Sequence, residues 1–135
     1  MDVVEGTAKE ALPFMRQMVL ARPKYFDNIE SGVKFMVSSQ TVHNLKSAKL
    51  STPPLLTKTG MKYYWKCNLM LTESYWKEWF EGLNKNFLEN PLPKLLILAA
   101  PDRLDTDLTI AHMQGKFSFK VSDASVGHHV HEDNP

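Results

Sequence analysis

Cysteine is nearly absent from this chain, since Cys67 is the only one among 135 residues. An internal disulfide is therefore excluded, and a reducing compartment fits the composition. We expect the cytoplasm, with the nucleus as the alternative. An excess of one charge is also lacking, because 16 basic and 15 acidic residues give a net charge of +1. This balance provides no attraction to nucleic acid or to an anionic membrane. No apolar run reaches the roughly 20 residues that a membrane span requires. We therefore expect neither nucleic acid nor a membrane as a partner.

Hydrophobic residues make up 43% of the chain, which is enough for one modest domain with a core. The clearest pattern lies in residues 91–135. Residues 95–100 form an apolar run between prolines, which is typical of a strand buried on both faces of a parallel sheet. Residues 108–114 can hold one or two helical turns, and residues 117–121 then alternate apolar and polar side chains. The sequence therefore predicts an α/β unit in which a helix connects two parallel strands.

Polar side chains follow both predicted strands. Asp102 and Asp105 come after the first strand, and His128 comes after the second. In an open α/β sheet, ligands bind at the carboxyl ends of the strands, so this order predicts one crevice shared by the three side chains. An alternative is that Asp102, Arg103 and Asp105 only form turn and ion-pair contacts, because aspartate is common in turns.

The amino-terminal part, residues 1–22, is predicted to contain a strand end over residues 2–6 and then a helix. Thr7 with Glu10 has the spacing of a capping box, and Pro13 predicts a kink or a helix start. Both ends of the chain are abrupt for a domain of this kind. We therefore expect one incomplete domain, divided into residues 1–22, 23–90 and 91–135.

Residues 23–90 form an excursion between the predicted sheet segments. Asp27 with Glu30 predicts the start of one helix, residues 57–62 are predicted as a loop, and residues 63–71 as an extended segment. Aromatic residues recur at helical spacing from Trp76 onward. Core packing is the favoured interpretation of these aromatic side chains. The alternative is a helical, aromatic-rich cap that lines an apolar pocket.

Seven short segments together resemble one known family. They are residues 2–8 (DVVEGTA), 75–83 (YWKEWFEGL), 93–99 (PKLLILA), 102–105 (DRLD), 113–117 (MQGKF), 127–128 (GH) and 130–133 (VHED). This pattern is similar to the carboxyl-terminal portion of the protein phosphatase methylesterases, which are α/β-hydrolases. The resemblance implies a partial α/β-hydrolase fold and a serine esterase. The implied reaction demethylates the carboxyl-terminal leucine methyl ester of the type 2A protein phosphatase catalytic subunit, which would be the partner.

The resemblance also implies the catalytic residues. The triad acid matches Asp2 and the triad base matches His128, while the nucleophilic serine is expected upstream in a Gly-x-Ser-x-Gly motif that this chain lacks. Most α/β-hydrolases instead take the acid from the loop after the strand predicted at residues 95–100. Asp105 is therefore the second candidate for the acid. With the acid and base alone, the chain is expected to be inactive by itself.

Two other interpretations compete with this one. His128, His129 and His131 could bind a metal, but no second group of ligands has metal-like spacing, so neither a metal nor a cofactor is expected. The chain could also be a non-catalytic fragment that binds a phosphatase, or part of another α/β-hydrolase carboxylesterase. The resemblance is imperfect as well, because His112 and His129 stand where the family usually has glutamine and alanine.

Overall fold

A computed structural model describes residues 4–99, 104–123, 126–127 and 129–135 of the chain. Helices and strands are mixed along it. In chain order they are α1 (Glu5–Leu20), β1 (Tyr25–Phe26), α2 (Ile29–Ser38), α3 (Leu45–Ser51), β2 (Leu56–Thr59), β3 (Lys62–Trp65), α4 (Trp76–Phe80), α5 (Leu83–Glu89), β4 (Leu95–Leu98), α6 (Thr106–Met113), β5 (Ser118–Val121) and α7 (Val130–Asp133), with 3₁₀ helices at Pro53–Leu55 and Leu69–Tyr75. Within these described ranges, no helix is both long and apolar enough to cross a membrane.

Strands β4 and β5 form the predicted parallel pair. Their register sets Leu95 opposite Ser118 and Leu98 opposite Val121, and α6 connects them, as parallel strands require. The predicted strand–helix–strand unit and its parallel sheet are thus confirmed. The prediction that the first strand, β4, is buried on both faces was wrong. Leu96 and Leu98 are buried, whereas Leu95 is 54% exposed. In a pair of two strands, the helices described here cover only the face that carries Leu96 and Leu98.

The main core joins the start of the chain to this parallel pair. Its buried members are Val4, Leu96, Leu98, Leu108, Ala111 and Phe117. The strand end predicted over residues 2–6 is wrong in its second half, because α1 already begins at Glu5. Residue 2 lies outside the described residues. Val4 is 1% exposed, so the residue directly before α1 is anchored against the parallel pair.

The excursion contains a second sheet, with strand order β1-β3-β2 and antiparallel pairing. Residues 57–62 were predicted as a loop, but most of them form the β2–β3 hairpin, with Gly60 at φ 62° in its turn. The prediction failed because Thr57, Lys58 and Thr59 are all polar and exposed, so this strand lacks the apolar/polar alternation that marks a half-buried strand. Trp65 at the end of β3 packs against the excursion's own core of Val33, Met36, Val42 and Ala48.

Helix boundaries differ from the predicted ones where a cap was misread. Thr7 does not cap α1, since its hydroxyl donates to the Val4 carbonyl inside the first turn. Asn28, rather than Asp27, caps α2 by accepting a hydrogen bond from the Ser31 N–H at 2.8 Å. Pro13 lies inside the continuous helix α1.

The aromatic segment after Trp76 divides into α4 and α5, because Gly82 adopts φ 75° between them. Core packing is confirmed for Trp76, which is 4% exposed, whereas Trp79 is 49% exposed.

Candidate functional site

Three of the four predicted site residues, Asp2, Asp102 and His128, lie outside the described residues. Their neighbours Val4 and Gly127 are described, and so is Asp105. Of the four, the structure therefore describes the contacts of Asp105 alone, and the shared crevice stays a prediction.

Asp105 binds the amino-terminal end of α1. Its Oδ2 accepts hydrogen bonds from the Gly6 N–H at 2.9 Å and from the Asn84 side-chain amide at 2.6 Å. Asp105 stands at the N-cap position of α6, yet its side chain does not cap that helix. A carboxylate at a helix amino terminus accepts hydrogen bonds from the free N–H groups there, and its negative charge interacts favourably with the positive end of the helix dipole. The described contacts of Asp105 are therefore those of a capping group for α1.

Asn84 completes this cap. The Asn84 side-chain Oδ1 accepts from the Glu5 backbone N–H at 3.4 Å, and the Asn84 backbone N–H donates to a Glu5 carboxylate oxygen at 3.2 Å. Val4, the N-cap residue of α1, makes no side-chain capping bond. Asp105 and Asn84 thus provide from distant segments the acceptors that Val4 lacks.

Gly6 is required at this cap because Asp105 approaches it closely. A Cβ atom at position 6 would lie 2.5 Å from Asp105 Oδ1. Alanine is favoured over glycine in a helix by about 0.5–1 kcal/mol. Displacing Asp105 would lose hydrogen bonds to a charged group, each contributing about 1.5–3 kcal/mol, so the loss outweighs the gain.

We expect Gly6→Ala to lower the free energy of unfolding by about 1–2 kcal/mol, as the difference of these two effects. Urea denaturation followed by circular dichroism measures it. Because both changes act on one contact, the double variant Gly6→Ala/Asp105→Ala should lose less than the sum of the single variants. A Gly6→Ala variant that is more stable than the parent would show that Asp105 does not cap α1.

The histidine loop is held by Asp133. The Asp133 Oδ2 accepts from the Gly127 N–H at 2.9 Å, and Gly127 directly precedes His128. The Asp133 Oδ1 accepts from the N–H groups of His43 at 2.6 Å and Asn44 at 3.1 Å. The Asp133 side chain is 1% exposed. One buried carboxylate thus joins the loop after β5 to the turn before α3.

Next to it, one described group could bind a metal ion. Ligand atoms of His129, His131 and Glu132 lie within 4.8 Å of one another. His129 Nδ1 already lies 3.1 Å from Glu132 Oε1, and the His131 side chain is 80% exposed. The closeness of these three side chains is explained by the hydrogen bond between His129 and Glu132 and by the surface position of His131.

The excursion and the end of the amino-terminal part together form a groove of about 360 Å³, lined by Leu20, Arg22, Trp65, Cys67 and Met70 among others. The Arg22 guanidinium lies 3.9 Å from the Trp65 ring centroid, and burial lowers the pKa of Arg22. The Trp65 indole N–H donates to the Pro23 carbonyl at 2.8 Å. An apolar pocket beside an aromatic side chain agrees with the alternative interpretation of the tryptophans for Trp65.

Comparison with known proteins shows which curated proteins this chain is similar to. Protein phosphatase methylesterase 1 of Yarrowia lipolytica is 47% identical over 137 residues, covering 100% of this chain and 32% of that protein. The chain is homologous to the protein phosphatase methylesterases. A probable protein phosphatase methylesterase 1 of Caenorhabditis elegans is 47% identical over 135 residues, covering 99% of the chain and 37% of the relative. The predicted resemblance is therefore confirmed.

The methylesterase of Bos taurus is 38% identical over 177 aligned positions, which cover 99% of this chain and 46% of the relative. The chain thus spans about a third to a half of the length of these relatives, and it matches their carboxyl-terminal part. No family model matches the chain.

The sequence analysis did not identify Asn84 and Asp133 as residues that hold the site together. Asn84 bonds Glu5 across 79 positions and Asp133 bonds His43 across 90 positions, so no local pattern marks either contact. The only signal was that Asp133 falls in the segment VHED that carries the family resemblance.

Proposed function

We propose that this chain provides the catalytic acid and base of a protein phosphatase methylesterase. The full enzyme would be a serine hydrolase that demethylates the carboxyl-terminal leucine of the type 2A protein phosphatase catalytic subunit. The observation that carries the proposal is the 47% identity to the Yarrowia lipolytica methylesterase over the whole chain. The fold proposed with it is the carboxyl-terminal part of an α/β-hydrolase, to which the parallel pair β4–β5 would belong.

The proposed mechanism is acyl transfer. A serine contributed by the preceding part of the enzyme attacks the ester carbonyl. His128 accepts the serine proton and passes it to the departing methanol, while Asp2 orients the imidazole and stabilises its protonated form. Water then hydrolyses the acyl-enzyme with His128 again as the base. Backbone N–H groups near the serine would stabilise the oxyanion by about 3–4 kcal/mol per donor.

Two features of the described residues support Asp2 as the acid. Val4, two residues after Asp2 in sequence, packs in one core with Leu96 and Leu98 of the parallel pair, and His128 follows the second strand of that pair in sequence. Asp105, the second candidate, is bound by Gly6 and Asn84. This cap, which engages only Oδ2, accounts for the Asp105 carboxylate without a catalytic role.

The proposal predicts that the 135-residue chain alone does not react with a fluorophosphonate probe. Such labelling needs a nucleophile within about 3 Å of its base and a preorganised oxyanion hole. A chimera, in which this chain replaces the matched region of the Yarrowia lipolytica relative, should be labelled and should demethylate a methylated phosphatase subunit. Labelling is read by in-gel fluorescence, and demethylation by released methanol.

The outcomes separate the competing functions. Labelling of the isolated chain that is lost in His128→Ala would reveal a nucleophile within it, with Ser122 and Ser125 the first to test. A chimera that hydrolyses p-nitrophenyl acetate but not the phosphatase methyl ester would indicate another carboxylesterase. A chimera that binds the phosphatase without either activity would indicate a non-catalytic binding fragment.

A further inference from the structure

The Asp133 carboxylate divides its two oxygens between two segments of the chain. Oδ2 binds the histidine loop through the Gly127 N–H at 2.9 Å, and Oδ1 binds the N–H groups of His43 and Asn44. Charge-assisted hydrogen bonds of this kind are about twice as strong as neutral ones. A side chain that is 1% exposed has little water to replace a lost partner, so each of these segments depends on the carboxylate.

Both ends of this connection are themselves fixed. The Asp133 N–H donates to the His129 carbonyl at 2.9 Å, which closes α7 directly after the histidine loop. On the other side, the Asn44 side chain caps α3 by accepting from the Lys46 and Ser47 N–H groups. The carboxylate therefore connects two anchored elements rather than two loose loops.

Asp133 is also held in its charged form. Burial acts to raise its pKa, but the N–H groups of Gly127, Asn44 and His43, together with the nearby His43 imidazole, outweigh burial and hold the pKa of Asp133 below its usual value. The His43 ring crowds the same point, because a Cβ atom on Gly127 would lie 3.2 Å from His43 Nε2. The Gly127 backbone, just before His128 in sequence, is thus confined by both the Asp133 carboxylate and the His43 imidazole.

We propose that Asp133 is a positioning residue that fixes the backbone of Gly127 and thereby the location of the base His128. This inference rests on the proposed function. The proposed role of Asp133 involves no contact with the reacting atoms. It acts through Gly127, and its second oxygen ties the histidine loop to the turn before α3 in the excursion.

The test uses Asp133→Asn in the methylesterase chimera, with Asp123→Asn as the matched control. Asp123 lies in the same loop but is exposed, and it makes no side-chain bond among the described residues. Asparagine keeps one acceptor oxygen and replaces the other by a donor, so one of the two segments loses its partner. A base misplaced by about 1 Å can lower the rate on the order of 100-fold. We expect kcat to fall about 10- to 100-fold in Asp133→Asn, with KM within about twofold.

Titration with the fluorophosphonate probe separates positioning from a loss of folded protein. Positioning predicts unchanged labelling stoichiometry with a slower rate per site, and Asp123→Asn should match the parent in both. Lower stoichiometry with an unchanged rate per site would overturn the inference, as would a kcat equal to that of the parent. A parent chimera without activity would overturn the proposed function, and the inference with it, whereas an active parent with an unaffected Asp133→Asn variant overturns the inference alone.

Discussion

In the chimera with the Yarrowia lipolytica relative, His128→Ala should abolish ester hydrolysis, and Asp2→Asn should lower turnover about 10⁴-fold. The first variant removes the group that accepts the serine proton. The second leaves the imidazole in place but favours the wrong tautomer, and that loss is of this size in a serine protease triad. Initial rates of methanol release from the methylated phosphatase subunit measure both.

Asp105→Asn is the matched comparison for Asp2→Asn, because both replace a carboxylate by its amide. We expect Asp105→Asn to change turnover less than tenfold and to act on stability instead, through the α1 cap at Gly6 and Asn84. If Asp105→Asn causes the large loss and Asp2→Asn is mild, the acid follows β4, as in most α/β-hydrolases. The α1 cap would then be a resting contact of the catalytic carboxylate.

Leu98→Ala should lower the free energy of unfolding of the chain by about 2–5 kcal/mol, the range for a buried leucine truncated to alanine. Leu98 is 1% exposed in the core that joins the parallel pair to α6 and to Val4. Its loss would open a cavity in the only described core that contacts the start of the chain. Urea denaturation, monitored by circular dichroism, gives the value.

Leu95→Ala is the control, since it makes the same substitution in the same strand on the opposite face. Leu95 is 54% exposed, so its truncation should cost less than about 1 kcal/mol, as for surface positions. Equal losses at positions 95 and 98 would mean that both faces of β4 are covered. That result would restore the prediction of a strand buried on both sides.

The local sequence pattern was sufficient to predict the parallel strand–helix–strand unit. The apolar run at β4 and the alternation at β5 are local patterns. Parallel strands require a crossover between them, and residues 108–114 are enough for one or two helical turns there. The hairpin β2–β3 was missed because Thr57, Lys58 and Thr59 are all polar, so no apolar alternation marks β2. Capping residues were misread by one to three positions, since several polar residues near a helix start can serve equally well in isolation.

The sequence by itself determined the resemblance to the methylesterases, the order of the carboxyl-terminal elements and the absence of an internal disulfide, because these follow from residue identity and from spacing over a few positions. Only the tertiary structure decided which N–H groups the carboxylates of Asp105 and Asp133 bind. Either side chain could accept from any donor within reach, and the donors belong to segments up to 99 residues away in the chain. Folding brings Gly6 to Asp105 and His43 to Asp133 through the packing of apolar side chains elsewhere, so these long-range contacts are a consequence of the core rather than of neighbours in sequence.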